Sequence, residues 1–214
     1  MKIKEFLRSI LQDLPSEVSL VAVSKTRSIP MLIEAYDAGQ RVFGENKVKE
    51  MADKFDVLPK DIQWHMIGHL QRNKVKYIAQ FVSLIHGVDS IKLLIEINKR
   101  AAQNNRIIDC LLQIDIAQEE TKFGLTKSDA LEILTLSERM SNIRIKGLMG
   151  MATNSQDFSI VKKEFFGLSD FYKKLKPKYQ HFEILSMGMS GDFKIAIEQG
   201  SNMVRLGSAI FGTH

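Results

Sequence analysis

A closed (β/α)8 barrel, a single TIM-type α/β domain, is the fold this sequence predicts, and three observations predict it. Eight short apolar runs alternate with longer stretches of helical spacing along 214 residues. Strict alternation implies a parallel sheet, and about 27 residues per unit lies near the short end of that barrel's range of roughly 200 to more than 400 residues. No Gly-x-Gly-x-x-Gly turn follows the first strand, as an open doubly wound sheet, the competing architecture, would favour.

The elements follow in order. Residues 1–8 mix charge and apolar side chains at helical spacing, unlike the unbroken apolar core of a secretory signal. Leu20, Val21, Ala22 and Val23 form a valine-rich run, the mark of a strand buried on both faces. A helix over 29–39 ends on Gly39. A strand at 41–43 and a helix at 45–55 come next, then a strand at 63–67 and a helix at 70–80. The strand at 84–87 leads into a helix over 90–104 with Ser90 as its cap. A strand at 109–116 precedes a helix over 128–140, capped by Ser128. Strand 143–149, helix 157–176, strand 182–185, helix 192–199 stopped by Gly200, and strand 203–206 complete the series. The four prolines, Pro15, Pro30, Pro59 and Pro177, fall where a pattern lapses, and no composition break marks a linker. Residues 1–214 therefore read as one domain.

Apolar residues make up 44% and charged residues 26%, a soluble composition. The net charge of +5 comes from 30 basic and 25 acidic residues that are interspersed, so no nucleic-acid tail is indicated. A lone Cys110 excludes an internal disulfide framework and a Cys-rich zinc site. No uncharged segment approaches the length needed to cross a bilayer. His65 and His69 are spaced i, i+4, but on a strand that separates them by about 13 Å, too far to share one ion, and no metal is expected. The basic stretches 71–76 and 173–178 read as solvated faces.

Several residues do not suit a plain core. Lys25 ends the first strand in the register of Val21 and Val23. A lysine at the C-terminal end of a barrel strand rises into the mouth, where barrel enzymes keep their chemistry. Desolvated and neutral there, its amine can attack an aldehyde; a solvated loop lysine is the competing reading. Arg205 interrupts the apolar strand Met203, Val204, Arg205, Leu206. A buried guanidinium needs an acceptor, whether carboxylate, ring nitrogen or phosphate. Two small-residue turns flank it: Ser186-Met187-Gly188-Met189-Ser190-Gly191, where Ser190 can cap the next helix, and Gly207-Ser208. Loops after strands seven and eight often build phosphate sites in barrels, although Asp192 would repel an anion unless it turned away. Asn46 closes the second strand as a ligand donor or a helix cap. Lys122 follows the fifth strand as a second cation at the mouth or a solvated residue.

These segments together resemble the pyridoxal-phosphate homeostasis protein family: Ala22-Val23-Ser24-Lys25-Thr26, Phe43-Gly44-Glu45-Asn46, the stretch 64–74, Gly147-Leu148-Met149, Leu185 to Ser190, and the stretch 203–212. The resemblance spans 22–212 and implies a stand-alone barrel like the N-terminal domain of alanine racemase, binding pyridoxal 5′-phosphate (PLP). It implies that Lys25 forms the internal aldimine, that Asn46 lies beside the cofactor, that Ser190, Gly207 and Ser208 cradle the phosphate, and that Arg205 faces the pyridine nitrogen. Ser208 stands where threonine is common and keeps the hydroxyl. A guanidinium only donates, so it leaves that nitrogen unprotonated and weakens the ring as an electron sink.

The expected function is PLP storage, buffering and delivery without robust catalysis, with apo PLP-dependent enzymes as recipients. No nucleic-acid or membrane partner is expected, and the expected form is a cytoplasmic monomer. The racemase relatives carry a further domain with a second acid–base group, whereas this sequence ends just past the eighth strand; two-sided proton transfer needs two such groups. A PLP-dependent amino-acid racemase is the alternative, and a regulator that signals PLP occupancy is a third.

Overall fold

Eight parallel strands, each followed by a crossover that returns the chain to the same end of the sheet, close on themselves. The computed structural model describes residues 2–117 and 124–212. It is a closed barrel of eight parallel strands in sequence order: β1 (Ser19–Val23), β2 (Val42–Glu45), β3 (Gln63–Met66), β4 (Leu84–Val88), β5 (Ile108–Ile114), β6 (Ile143–Gly150), β7 (Ile184–Ser186) and β8 (Met203–Leu206). The seam is β1 against β8, with Val21 opposite Arg205.

Alternation divides each strand between two cores. Val21, Leu84, Leu111, Met149 and Met203 meet inside the barrel, with Val42, Ile67 and Ile184 against them. Leu20, Ala22, Leu185, Val204 and Leu206 point the other way, into the larger layer between strands and helices. Because both faces are covered, strands here read as continuous apolar runs. Inside the barrel Gly147 is required: at φ +148, a Cβ there would lie 1.8 Å from the Ile184 carbonyl oxygen.

The helices are α1 (Lys2–Asp13), α2 (Ile29–Asp37), α3 (Val48–Val57), α4 (Ile91–Gln103), α5 (Lys127–Ser137), α6 (Phe158–Leu175), α7 (Phe193–Glu198) and α8 (Ser208–Phe211). Helix α2 stops as expected, with Gly39 at φ +102 just past it. Ser90 caps α4 by accepting from the Leu93 N–H.

Four expectations are corrected. Thr126, not Ser128, caps α5: its hydroxyl takes the Asp129 N–H while the Asp129 carboxylate returns to the Thr126 N–H, a reciprocal box that outcompetes a lone serine. Glu45 belongs to β2 rather than to the next helix, because its carboxylate is buried against Ser24 and Lys54. The helix expected over 70–80 is only a 3-10 turn, Arg72–Tyr77, in which Val75 alone is buried, so no apolar stripe docks a full helix. Strand β7 starts at Ile184, since Phe182 instead packs its ring on Tyr172 and Tyr179.

Candidate functional site

The mouth of the barrel, at the C-terminal ends of the strands, holds a cavity of about 410 Å³, within the range of small-ligand pockets. Lys25, Asn46, Ser190, Arg205, Gly207 and Ser208 all line it. Residues from four βα units, scattered over the sequence, thus face one space.

Lys25 lies beyond the end of β1, in a turn fixed by the Ser24 N–H on the Gly44 carbonyl and the Arg27 N–H on the Ser24 carbonyl. It is exposed at the rim. The expected loss of hydration is therefore not imposed by the protein alone, because the strand stops two residues too early to draw the side chain inside.

Arg205 is 4% exposed. Its Nη1 donates to Ser186 Oγ at 2.6 Å and its Nη2 to the Gly150 carbonyl at 3.1 Å. Burial pulls its pKa down to about 10, with Asp192 opposing, so it stays charged at neutral pH. The anchored fork leaves further N–H groups for the cavity that Arg205 lines. What they meet must be an acceptor, which an unprotonated ring nitrogen satisfies.

The two small-residue turns adjoin. Ser190 does not cap α7, because Asp192 takes the cap position and the helix begins only at Phe193. Instead Ser190 Oγ accepts from the Gly207 N–H at 3.3 Å, tying one turn to the other. The N–H groups of Ser190, Gly191 and Ser208 have no acceptor among the described residues, a donor set suited to phosphate oxygens. Gly188 makes the first turn possible: it sits at φ +98, and a Cβ there would meet Ala196 at 2.6 Å. The carboxylate of Asp192 folds back onto the Met189 N–H at 2.6 Å. Burial is the largest influence on it and raises its pKa, opposed by that N–H and by Arg205.

Asn46 is not a cap. Helix α3 is entered through Lys47 without a side-chain cap, and Asn46 lines the cavity together with a neighbouring cleft of about 600 Å³. That larger cleft contains neither Lys25 nor Arg205, so chemistry singles out the smaller space. Lys122 lies outside the described residues. His65 and His69 have separate partners, His86 and Asp89 respectively. Cys110 is buried, and burial pushes its thiol pKa up, which suits an inert core residue.

Sequence reasoning missed the support beneath Arg205. His86 Nδ1 lies 3.1 Å from Ser186 Oγ, and His86 Nε2 lies 3.0 Å from His65 Nδ1. Arginine only donates, so Ser186 accepts from it; the arrangement that gives the Ser186 proton an acceptor then runs from Ser186 to His86 Nδ1 and from His86 Nε2 to His65 Nδ1. The clue was the one that exposed Arg205, a polar residue within an apolar strand.

Burial holds both rings neutral, with the His65 pKa lowered to about 3 and that of His86 well below 6.5. The unfolded rings take protons below about pH 6.5 while the folded rings do not. Stability therefore falls as pH drops from 6.5 toward 3, by about 1.4 kcal/mol per pH unit for each ring. Between pH 6.5 and 5, His65→Gln is expected to lose about 2 kcal/mol less than the parent in urea unfolding. Equal losses would show that His65 is not buried neutral.

Comparison with known proteins follows the same lines. Residues 2–214 match the family model described as alanine racemase, N-terminal domain. A pyridoxal phosphate homeostasis protein of Schizosaccharomyces pombe is 40% identical over 215 residues, covering 98% of this chain and 90% of that protein. One from Vibrio alginolyticus is 36% identical over 203 residues, covering 92% and 87%. The solved structure of PipY from Synechococcus elongatus with PLP bound superposes with a TM-score of 0.88 at 32% identity, covering 98% of this chain and 100% of that one. Alanine racemase of Clostridium difficile shares the fold, with a TM-score of 0.82 at 14% identity, this chain covering 57% of its length.

Proposed function

The chain belongs to the pyridoxal phosphate homeostasis protein family, built on the alanine racemase N-terminal domain, and from that premise we propose that it holds PLP covalently through the Lys25 amine. The observation that carries this reading is the convergence of Lys25, Arg205 and the Ser190 and Gly207-Ser208 turns on one cavity. The donor chemistry fits the cofactor part by part. Three free N–H groups and the Ser190 and Ser208 hydroxyls suit the phosphate, the Arg205 fork suits an unprotonated ring nitrogen, and the Lys25 amine suits the aldehyde. Asn46, which lines the same space, orients the cofactor from the side.

Bound PLP supplies an aldehyde that amines capture reversibly. The protein's part is to hold it, keep its free concentration low and yield it to a competing amine, with apo PLP-dependent enzymes as recipients. Residues 1–214 act as one such unit, a monomer in the cytoplasm. No helix among the described residues is long and apolar enough to cross a membrane.

A buried guanidinium opposite the ring nitrogen favours holding over catalysis, because it has no proton to give that nitrogen at neutral pH. The competing racemase reading rests on a likeness at 14% identity, which speaks for the fold alone. With L-alanine in deuterated water, the loaded protein is expected to exchange the α-proton no faster than free PLP does. Exchange or inversion well above that background would instead establish an enzyme.

A further inference from the structure

We propose that Glu45, Glu50 and Lys54 form a clamp that fixes the Lys25 backbone and so positions its amine for capture of the aldehyde, an inference that rests on the function proposed above. Lys25 has one peptide bond on each side, and the clamp grips both. Lys54 Nζ donates to the Ser24 carbonyl at 2.7 Å, holding the peptide before Lys25. Glu50 Oε1 accepts from the Thr26 N–H at 2.6 Å, holding the peptide after it. With both planes fixed, the φ and ψ of Lys25 are fixed.

The clamp is joined internally. Lys54 Nζ also donates to Glu45 Oε1 and to Glu50 Oε1, each at 2.7 Å. The Ser24 hydroxyl donates to the same Glu45 oxygen at 2.6 Å. Glu45 is 0% and Lys54 5% exposed, and burial raises the Glu45 pKa against the pull of Lys54 and Ser24. Glu50 and Lys54 are one turn apart on α3, so the helix presents both to the loop that follows β1.

Buried charges are a poor way to gain stability, since their desolvation offsets their attraction. Their value here lies in geometry. Thr26, a β-branched residue, sits at φ 62, a region such residues rarely visit. Strained backbone persists only where its surroundings over-determine it, and it gathers at functional sites. None of the three clamp residues lines the cavity that holds Lys25, so they are positioning residues.

Three variants test this. Glu50→Ala removes, at a half-buried position, the carboxylate that accepts from the Thr26 N–H. Glu50→Gln keeps an oxygen there. The double variant Glu45→Gln with Lys54→Met neutralises the fully buried pair together and leaves the half-buried Glu50 carboxylate with the Thr26 N–H. Two readouts are compared at matched thermal stability: the rate of borohydride-trapped PLP adduct at Lys25, and the affinity for pyridoxine 5′-phosphate, which has the ring and phosphate but no aldehyde. Glu50→Ala and the double variant are expected to capture PLP about tenfold more slowly with pyridoxine phosphate affinity within about twofold of the parent, and Glu50→Gln to capture near the parental rate. Parental capture rates in both Glu50→Ala and the double variant would overturn the clamp while leaving the proposed function standing, as would a parallel loss of pyridoxine phosphate affinity. Absence of a Lys25 adduct in the parent protein would overturn the function and the clamp with it.

Discussion

Lys25→Ala protein mixed with PLP will yield no borohydride-stable adduct, whereas the parent will be labelled stoichiometrically. Among the described residues, Lys25 is the lysine that lines the mouth cavity alongside Arg205 and the Ser190 turn. Being exposed, it contributes little to folding, so unfolding free energy should stay within about 0.5 kcal/mol of the parent. The variant keeps the phosphate and ring contacts and will still bind pyridoxine 5′-phosphate. Retention, not entry, is what it loses: PLP will dialyse away from the variant under conditions that leave the parent loaded. A fully labelled Lys25→Ala protein would move the covalent site elsewhere.

Arg205→Leu is expected to fail in the complementary way. The guanidinium is anchored by Ser186 and Gly150 and faces the cavity with what remains of its fork. A hydrogen bond from a charged donor is worth about 1.5–3 kcal/mol, so affinity for PLP and for pyridoxine phosphate should fall together by about 10- to 100-fold. At saturating PLP the Lys25 adduct should still form. Stability should drop modestly, because two acceptors lose their donor while a desolvated charge is removed. Calorimetric affinities within about twofold of the parent would remove Arg205 from the ring site.

The pair of variants also shows which parts of the molecule can be read from sequence. Arg205 stands out because it is a cation set inside an apolar strand, where burial demands an acceptor; Lys25 stands out because it closes the apolar run of the first strand, although its side chain proves exposed. The eight-unit alternation is legible for the same physical cause: strands covered on both faces leave continuous apolar runs. The histidine pair under Arg205 escaped because His65 was compared with His69 along the chain, while its partner His86 lies one strand over, visible only once β3 and β4 are in register. Glu45 escaped because a glutamate before an apolar-periodic stretch looks like a helix start. Its true place depends on Lys54 and Ser24, which come together only when α3 folds back over the first loop. Ser190 lines the cavity but caps no helix, since α7 begins only at Phe193 with Asp192 in the cap position. Local pattern therefore identifies single misfit residues, whereas contacts between units require the closed barrel.

The most direct measurement is peptide mapping of the PLP-saturated protein after borohydride reduction. The account predicts the reduced pyridoxyl mass on the peptide that contains Lys25, with other lysines unlabelled at one equivalent of PLP. A label carried by another lysine while the Lys25 peptide keeps its native mass would contradict it.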